Sequence, residues 1–303
     1  MFDVVGVGDL DIDIYIELDR IPDFDEKLLA NDHHFHGGGM VANTIVALTR
    51  LGKSCLLHAP VGDDLYGKLA IADLEHNGVE TSGLIKKADG RTYFCVVMLD
   101  HTGEKSLIVV PTDSMNPKSK ELSAETIQSA RHMHTTLFPD VSGAIELAHA
   151  KEMSISIDIE PSMLHAKNQN EISKLLELVD IVFLGEQAAK QIGGTDDPQF
   201  NLKRVQTFGP KTVCLTQGNQ GGLISDRSSR ELIQYQAYKV NVIDSTGAGD
   251  CFAAGFIYGY LEGWGLSQIA QFASAVAAIN TQHFGGHDGA PTLEDVENFI
   301  RNF

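Results

Sequence analysis

The sequence predicts an α/β protein built on a largely parallel sheet. Short β-branched apolar runs recur along its 303 residues, stretches with apolar residues three and four apart alternate with them, and no Pro-, Ser- or Gly-rich linker divides the chain. Strand-like runs fall at residues 4–7, 55–57, 94–99, 107–110, 155–159, 181–184 and 213–215. Helical spacing marks residues 41–51, 65–76, 144–149, 172–179, 251–261, 268–283 and 293–300. Helices between strands cover both faces of such a sheet.

Two stretches break this rhythm. Residues 9–36 are polar and lack a helical period, and residues 90–111 read as a hairpin turning at His101-Thr102-Gly103. They are expected to form an added β-layer. The first 26 residues hold nine acids and one base, Arg20, so an anion is not expected to dock there. A net charge of −18 excludes a nucleic-acid binder that works by bulk electrostatics. Cys55, Cys95, Cys214 and Cys251 form no C-x-x-C pair, and the chain opens on strand-like residues without a leader pattern. No apolar run reaches the ~18 residues a membrane helix needs. The expectation is a reduced, cytoplasmic protein.

The strongest local signal is Asp244-Ser-Thr-Gly-Ala-Gly-Asp250, followed at once by an apolar helix. Glycines at 247 and 249 leave backbone N–H groups unobstructed at a helix N-terminus, where unpaired donors and the helix dipole favour an anion. Asp250, on the first turn, can take a proton from a hydroxyl attacking a phosphoryl group held by those amides. Helix capping alone would need one acid and one glycine. A second signal, Gly37-Gly38-Gly39-Met-Val-Ala-Asn43, opens another helix; three glycines in a row suit close approach of a ligand or strand, and Asn43 offers a polyol both donor and acceptor. A third glycine turn, Thr216-Gln-Gly218-Asn-Gln-Gly221, follows a predicted strand, where α/β sheets bind ligands, although hairpins look the same.

Three patterns are rejected. Gly62-Asp-Asp-Leu-Tyr-Gly67-Lys68 has phosphate-loop spacing, but Leu69 replaces the hydroxyl residue and Asp63 and Asp64 would oppose phosphates. Gly6-Val-Gly8 lacks the third glycine and the helix of a dinucleotide fingerprint. His33, His34 and His36 lie on one extended segment with no identifiable fourth ligand, which makes them surface histidines rather than a metal site.

With these residues in hand, the chain resembles the ribokinase-like (PfkB) family of carbohydrate and nucleoside kinases over its whole length. The glycine-rich 37–52 segment and the 244–250 segment match both family signatures in order. Gly8-Asp9 with Asp13, Val61-Gly62-Asp63-Asp64, the Thr216 turn and Pro291 after Gly285-Gly286 agree with it. The resemblance implies one three-layer kinase domain over residues 1–303, with a mostly parallel central sheet and a small β-lid from about 10–37 and 90–111. It implies an ATP- and Mg2+-dependent kinase acting on a hydroxymethyl group of a sugar, of pentose or ketohexose type, or on a nucleoside; the acid excess of residues 1–26 and the mixed charges of 86–105 lead to the expectation that this acceptor is neutral rather than phosphorylated. It also implies a homodimer through the lid, and no nucleic-acid or membrane partner. By the same resemblance Asp250 is the catalytic base and Gly247, Ala248 and Gly249 the anion hole. Asp13, Gly38, Gly39 and Asn43 bind substrate; Thr216, Gly218, Gly221 and Ser274 line the nucleotide site; Asp244 and Thr246 hold a monovalent cation such as K+.

One departure matters. Where the family has Asn-x-x-Glu after a strand, this chain has Gly185-Glu-Gln-Ala188, which leaves Glu186 as the nearby acid for Mg2+. A sugar- or nucleotide-binding regulatory protein on the same fold is the alternative that this loss suggests.

Overall fold

The computed structural model describes residues 1–101 and 105–303. In chain order the elements are β1 (Phe2–Val7), β2 (Asp11–Leu18), β3 (Asp32–Gly38), α1 (Met40–Arg50), β4 (Cys55–His58), β5 (Pro60–Gly62), α2 (Leu65–His76), β6 (Ile85–Lys87), β7 (Phe94–Asp100), β8 (Lys105–Val110), α3 (Ala124–Ile127), β9 (Ala130–Thr136), α4 (Val141–His149), β10 (Ser154–Ile159), α5 (Gln169–Leu176), β11 (Ile181–Gly185), α6 (Glu186–Gly193), α7 (Pro198–Gln206), β12 (Thr212–Thr216), β13 (Gly222–Asp226), β14 (Glu231–Tyr235), α8 (Ala248–Leu261), α9 (Leu266–Asn280) and α10 (Leu293–Asn302).

The main sheet runs β14-β13-β12-β11-β10-β9-β1-β4. Every neighbour from β12 to β4 pairs parallel, and β13 and β14 are added antiparallel at one edge. Alternate residues of each strand feed two apolar layers. Val4, Cys55, Leu57, Phe183 and Cys214 pack under α1, α8 and α9, while Val5, Val7, Leu56, Met133 and Ile157 pack against α4 to α7. This is the α/β arrangement, helices on both faces of a largely parallel sheet, that the alternating pattern predicts, and it agrees with the three-layer fold that the resemblance implies. Helix α8 is buried along nearly its whole length, because Gly255 and Gly259 let α9 approach to a distance no Cβ would tolerate.

The expected β-layer is a separate four-stranded sheet, β3-β2-β7-β8. Its register puts Asp11, Asp13, Tyr15 and Cys95 on the face turned toward the main domain, and Ile14, Phe35, Val96 and Ile108 on the other. Of the turn expected at His101-Thr102-Gly103, Thr102 and Gly103 lie outside the described residues. Among the described residues, no helix is long and apolar enough to cross a membrane.

Candidate active site

Strand β1 lies where the chain order reverses, with β4 on one side and β9 on the other, and open α/β sheets bind ligands beyond the carboxyl ends of strands at such a point. Just past β1, the Asp9 carboxylate accepts from the Met40 and Val41 N–H groups, each at 3.0 Å, and from the Tyr93 hydroxyl at 2.8 Å. It thereby caps α1, whose own N-cap residue, Gly39, has no side chain to do so.

Each glycine of the 37–39 run has its own steric reason. A Cβ at Gly37 would stand 2.3 Å from the Asp73 carboxylate, and one at Gly38 would stand 2.2 Å from Asp11 Oδ1 and 2.8 Å from Asp13 Oδ2. Gly39 has a φ of +99° and abuts the Asp9 backbone. The run is therefore the floor of a carboxylate-lined recess rather than a flexible turn. In that recess Cys95 Sγ lies 3.2 Å from Asp11 Oδ2, while Asp11 Oδ1 is buried with no hydrogen-bond partner among the described residues. Burial, reinforced by the Asp13 and Asp9 charges, raises the Asp11 pKa well above the carboxylate range, and burial lifts that of Asp13 to about 6.

Across the recess stands the start of α8. Gly247 is left-handed, at φ +70°, and a Cβ there would fall 1.7 Å from the Gly286 carbonyl oxygen; at Gly249 a Cβ would meet open space. The Ala248 N–H reaches the Ser245 carbonyl at 3.3 Å. Asp250 Oδ2 accepts from Asn43 Nδ2 at 2.8 Å, and the Thr44 hydroxyl donates to the Asp250 carbonyl at 3.3 Å, tying α1 to α8. Burial is the main cause that raises the Asp250 pKa; the Asn43 hydrogen bond opposes it, and the charges of Asp158, Glu160 and Asp9 add to it. A buried base held above the usual carboxylate range is suited to accept a proton near neutral pH.

Asp244 joins this turn to the lid. Tyr15 OH of β2 donates to its Oδ2 at 2.8 Å, Lys105 Nζ of β8 lies 3.1 Å from its Oδ1, and the Thr246 N–H and hydroxyl reach the same Oδ1 at 2.9 and 2.7 Å. Burial alone would raise the Asp244 pKa, but the Thr246 donors, Lys105 and Tyr15 outweigh it and lower it. Lys105 also donates to Thr246 Oγ1 at 2.5 Å, so an ammonium engages both groups expected to hold a monovalent cation.

The residues expected at the nucleotide form a second group. Thr216 pairs with Gly185 across β11 and β12, and Gln217 Nε2 lies 3.4 Å from Glu186 Oε1. Gly221 and Ser274 both abut the segment after β14: a Cβ at Gly221 would stand 2.0 Å from the Tyr235 carbonyl oxygen, and Ser274 donates to that of Gln236 at 3.2 Å. Gly218 (φ +55°) has open space beside it, as has Gly185, whereas Ala188 is fully buried. One exposed carboxylate, Glu186, fits Mg2+ only as a partial ligand set of the kind completed by phosphate oxygens and water.

The rejected patterns have structural reasons. Asp64 caps α2 through Gly67 N–H and also accepts from Thr92, and Gly6 and Gly8 let α1 sit on β1 against Ile45 and Val41. His33 and His34 are exposed, but His36 is inward and pairs with Asp288. Sequence reasoning misses Asp11, Tyr15, Cys95, Lys105, Asp73 and His287, because each enters through strand register, a helix face or a distant loop and none carries a local motif.

A mostly parallel sheet, a β-lid and a helix N-terminus carrying a buried acid beside a glycine turn together define a phosphotransferase of small hydroxylated molecules. The pfkB family of carbohydrate kinases matches residues 1–293, and the chain belongs to that family. Its members transfer phosphoryl groups to hydroxyls. The chain is 26% identical over 303 residues to an ATP-dependent ribose-1-phosphate kinase of Halopiger xanaduensis, covering 99% of this chain and 98% of the relative. It is 27% identical to a nucleoside kinase of Methanothermobacter thermautotrophicus, covering 98% and 95% respectively. A crystal structure from E. coli of a protein provisionally called ribokinase II, in complex with ATP and Mg2+, superposes with a TM-score of 0.87 at 25% identity and full coverage of both chains.

Proposed function

We propose that this kinase transfers the γ-phosphoryl group of Mg·ATP to a hydroxymethyl group of a small neutral polyhydroxy acceptor of the pentose or ketohexose type. The observation that carries the reading is the buried Asp250 carboxylate at the start of α8, hydrogen-bonded to Asn43 and close to the glycine-floored recess of Asp11 and Asp13. With a pKa raised to about 6, Asp13 is ionised at neutral pH and accepts hydrogen bonds without donating them, so the recess suits hydroxyl donors. The acceptor hydroxyl lies beside the hydrogen-bonded Asn43–Asp250 pair and gives its proton to Asp250 as its oxygen attacks the γ-phosphorus and ADP departs. The amides at Gly247, Ala248 and Gly249 take up the charge of the moving group. Asp13, Gly38 and Gly39 hold the sugar. Thr216, Gly218, Gly221 and Ser274 border ATP, and Glu186 with the phosphates holds Mg2+, which supplies charge neutralisation when bound. At Asp244 and Thr246 we assign the positive charge to Lys105; a K+ ion there requires Lys105 to withdraw.

An acceptor phosphate wants Arg or Lys donors. Lys105 is engaged with Asp244, Lys87 with Glu121, and Arg91 is exposed. A free sugar is therefore expected to outcompete its monophosphate. The similarity to the Methanothermobacter relative supports a nucleoside acceptor as the second reading. The partly exposed apolar face of the lid, with Phe35 and Ile108 about half exposed, supports a homodimer through it. ADP release measured over free sugars, sugar phosphates and nucleosides, with Asp250→Ala as control, tests the assignment. A tenfold preference in kcat/KM for a phosphate would overturn the neutral acceptor, and activity retained in Asp250→Ala would overturn the base. Acceptor binding without turnover would favour the regulatory alternative.

A further inference from the structure

Behind Asp250 a chain of four side chains runs back through the protein. Asn43 Nδ2 donates to Asp250 at 2.8 Å; Asn43 Oδ1 lies 2.7 Å from His287 Nδ1; His287 Nε2 lies 2.8 Å from Asp73 Oδ2. The four residues come from α1, α8, the loop before α10, and α2. We propose that His287 and Asp73 are positioning residues that lock the Asn43 amide with its N–H aimed at the base. This rests on the reading of Asp250 as that base.

The lock requires one direction of the amide. Turned over, Asn43 would present its carbonyl to an ionised carboxylate and its NH2 to a ring nitrogen. As it stands, each His287 nitrogen faces an oxygen, and the proposed lock requires a hydrogen on both. The ring is 1% exposed, so water does not substitute for either partner. The Asp73 carboxylate balances the charge this gives the ring. Two glycines clear the space: a Cβ at Gly37 would stand 2.3 Å from Asp73 Oδ2 and 3.0 Å from His287 Cε1, and one at Gly286 would stand 2.6 to 2.9 Å from the Asn43 amide atoms. The His287 carbonyl is itself held by Arg50 Nη1 at 3.3 Å.

The lock acts on the ionisation of the base. Asp9, Asp158 and Glu160 face Asp250 and, with burial, favour its neutral form, whereas the Asn43 donor favours the carboxylate. Around His287 stand Asp73, Asp13, Asp288 with its partner His36, and Arg50. Loss of the lock leaves Asn43 free to turn, Asp250 holds its proton to higher pH, and the acid limb of the kcat profile moves up.

The test has two arms on the full-length protein. In the first, 15N-histidine labelling, with His287→Gln to identify the resonance, reads the ring nitrogens without ligand at pH 7.5. Protons on both are expected, and a lone-pair shift at Nδ1 overturns the proposal. In the second, any acceptor that supports ADP release is used for kinetics. His287→Leu is expected to lower kcat about tenfold or more with the acceptor KM within about threefold, and to move the acid limb up by about half a pH unit or more. Asp73→Asn should move the limb in the same direction by less, and His287→Gln, which keeps an N–H for Asn43, should recover most of kcat. An unmoved limb in Asp73→Asn together with equal losses in His287→Leu and His287→Gln would overturn the proposal; where His287→Leu does not fold, Asp73→Asn and His287→Gln decide. If no acceptor turns over, the kinase reading fails while the first arm still decides the lock.

Discussion

At the proposed acceptor end three acidic side chains are held by others: Asp9 by two α1 amides and Tyr93, Asp244 by Tyr15, Lys105 and Thr246, Asp250 by Asn43. At the proposed nucleotide end Glu186 is exposed and meets Gln217 at 3.4 Å, and Gly185 and Gly218 border open space. The first end has its shape before any ligand arrives, as buried carboxylates pack against glycines whose backbone has no room for a methyl group. The second takes its shape from what binds. Rate is therefore expected to respond to small changes at the acceptor end, and metal and nucleotide affinity to changes at the other.

The largest effect expected is at the base. Asp250→Asn should lower kcat by ~10²–10⁴ while acceptor affinity measured by calorimetry stays within a few-fold, because shape is kept and the proton acceptor is lost. A variant that retains more than half of the kcat would break the contrast at its centre. A paired glycine test comes next. Gly247→Ala puts a methyl against the Gly286 carbonyl and a side chain at φ +70°, so thermal unfolding should show a loss of about 2 kcal/mol or more. Gly249→Ala meets open space, so it should leave the melting temperature within about 3 °C and lower kcat about tenfold or more. A Gly249→Ala variant with unchanged kcat would mean that the open side of the turn is not where the phosphoryl group sits.

The third prediction concerns pH. With its pKa raised to about 6, Asp13 is ionised above that value and only about a tenth ionised at pH 5. If its carboxylate accepts sugar hydroxyls, acceptor KM should rise about tenfold from pH 7.5 to 5, and Asp13→Asn should flatten that rise. The smallest effect belongs to the open end: Glu186→Gln should raise the apparent Mg2+ constant about two- to fivefold at unchanged kcat. An unchanged constant would make Glu186 a surface residue.

The sheet was legible where burial is apolar. Residues 155–159, 181–184 and 213–215 announce β10, β11 and β12, and their neighbour β9 does not, because its inward residues include His132 and His134. Those rings are tolerated inside by bonds to Ser154 and Ser156 at 2.8 to 2.9 Å, and burial pushes their pKa values down to about 3. A polar pair that exists only across two strands leaves no periodic trace in one of them. Helices α6 and α7 escape notice for a related reason, since each buries a narrow stripe of three residues under a polar surface. At the site, residues near in sequence, such as Asp244 and Asp250, could be read from the motif. Tyr15 and Lys105 could not, since they meet Asp244 from 229 and 139 positions away.

That convergence on Asp244 has a thermodynamic consequence. One carboxylate accepts from two lid strands and from the turn that opens α8, so a lid displacement that breaks the Tyr15 and Lys105 bonds also removes two of the partners that fix the turn. Anything that settles the lid settles the phosphate end with it. Linkage then requires reciprocity: by whatever factor an acceptor under the lid tightens ATP, ATP tightens the acceptor equally, and couplings of this kind are typically about 1–3 kcal/mol. On the proposed reading, the acceptor and ATP sites are coupled through the side chain of Asp244.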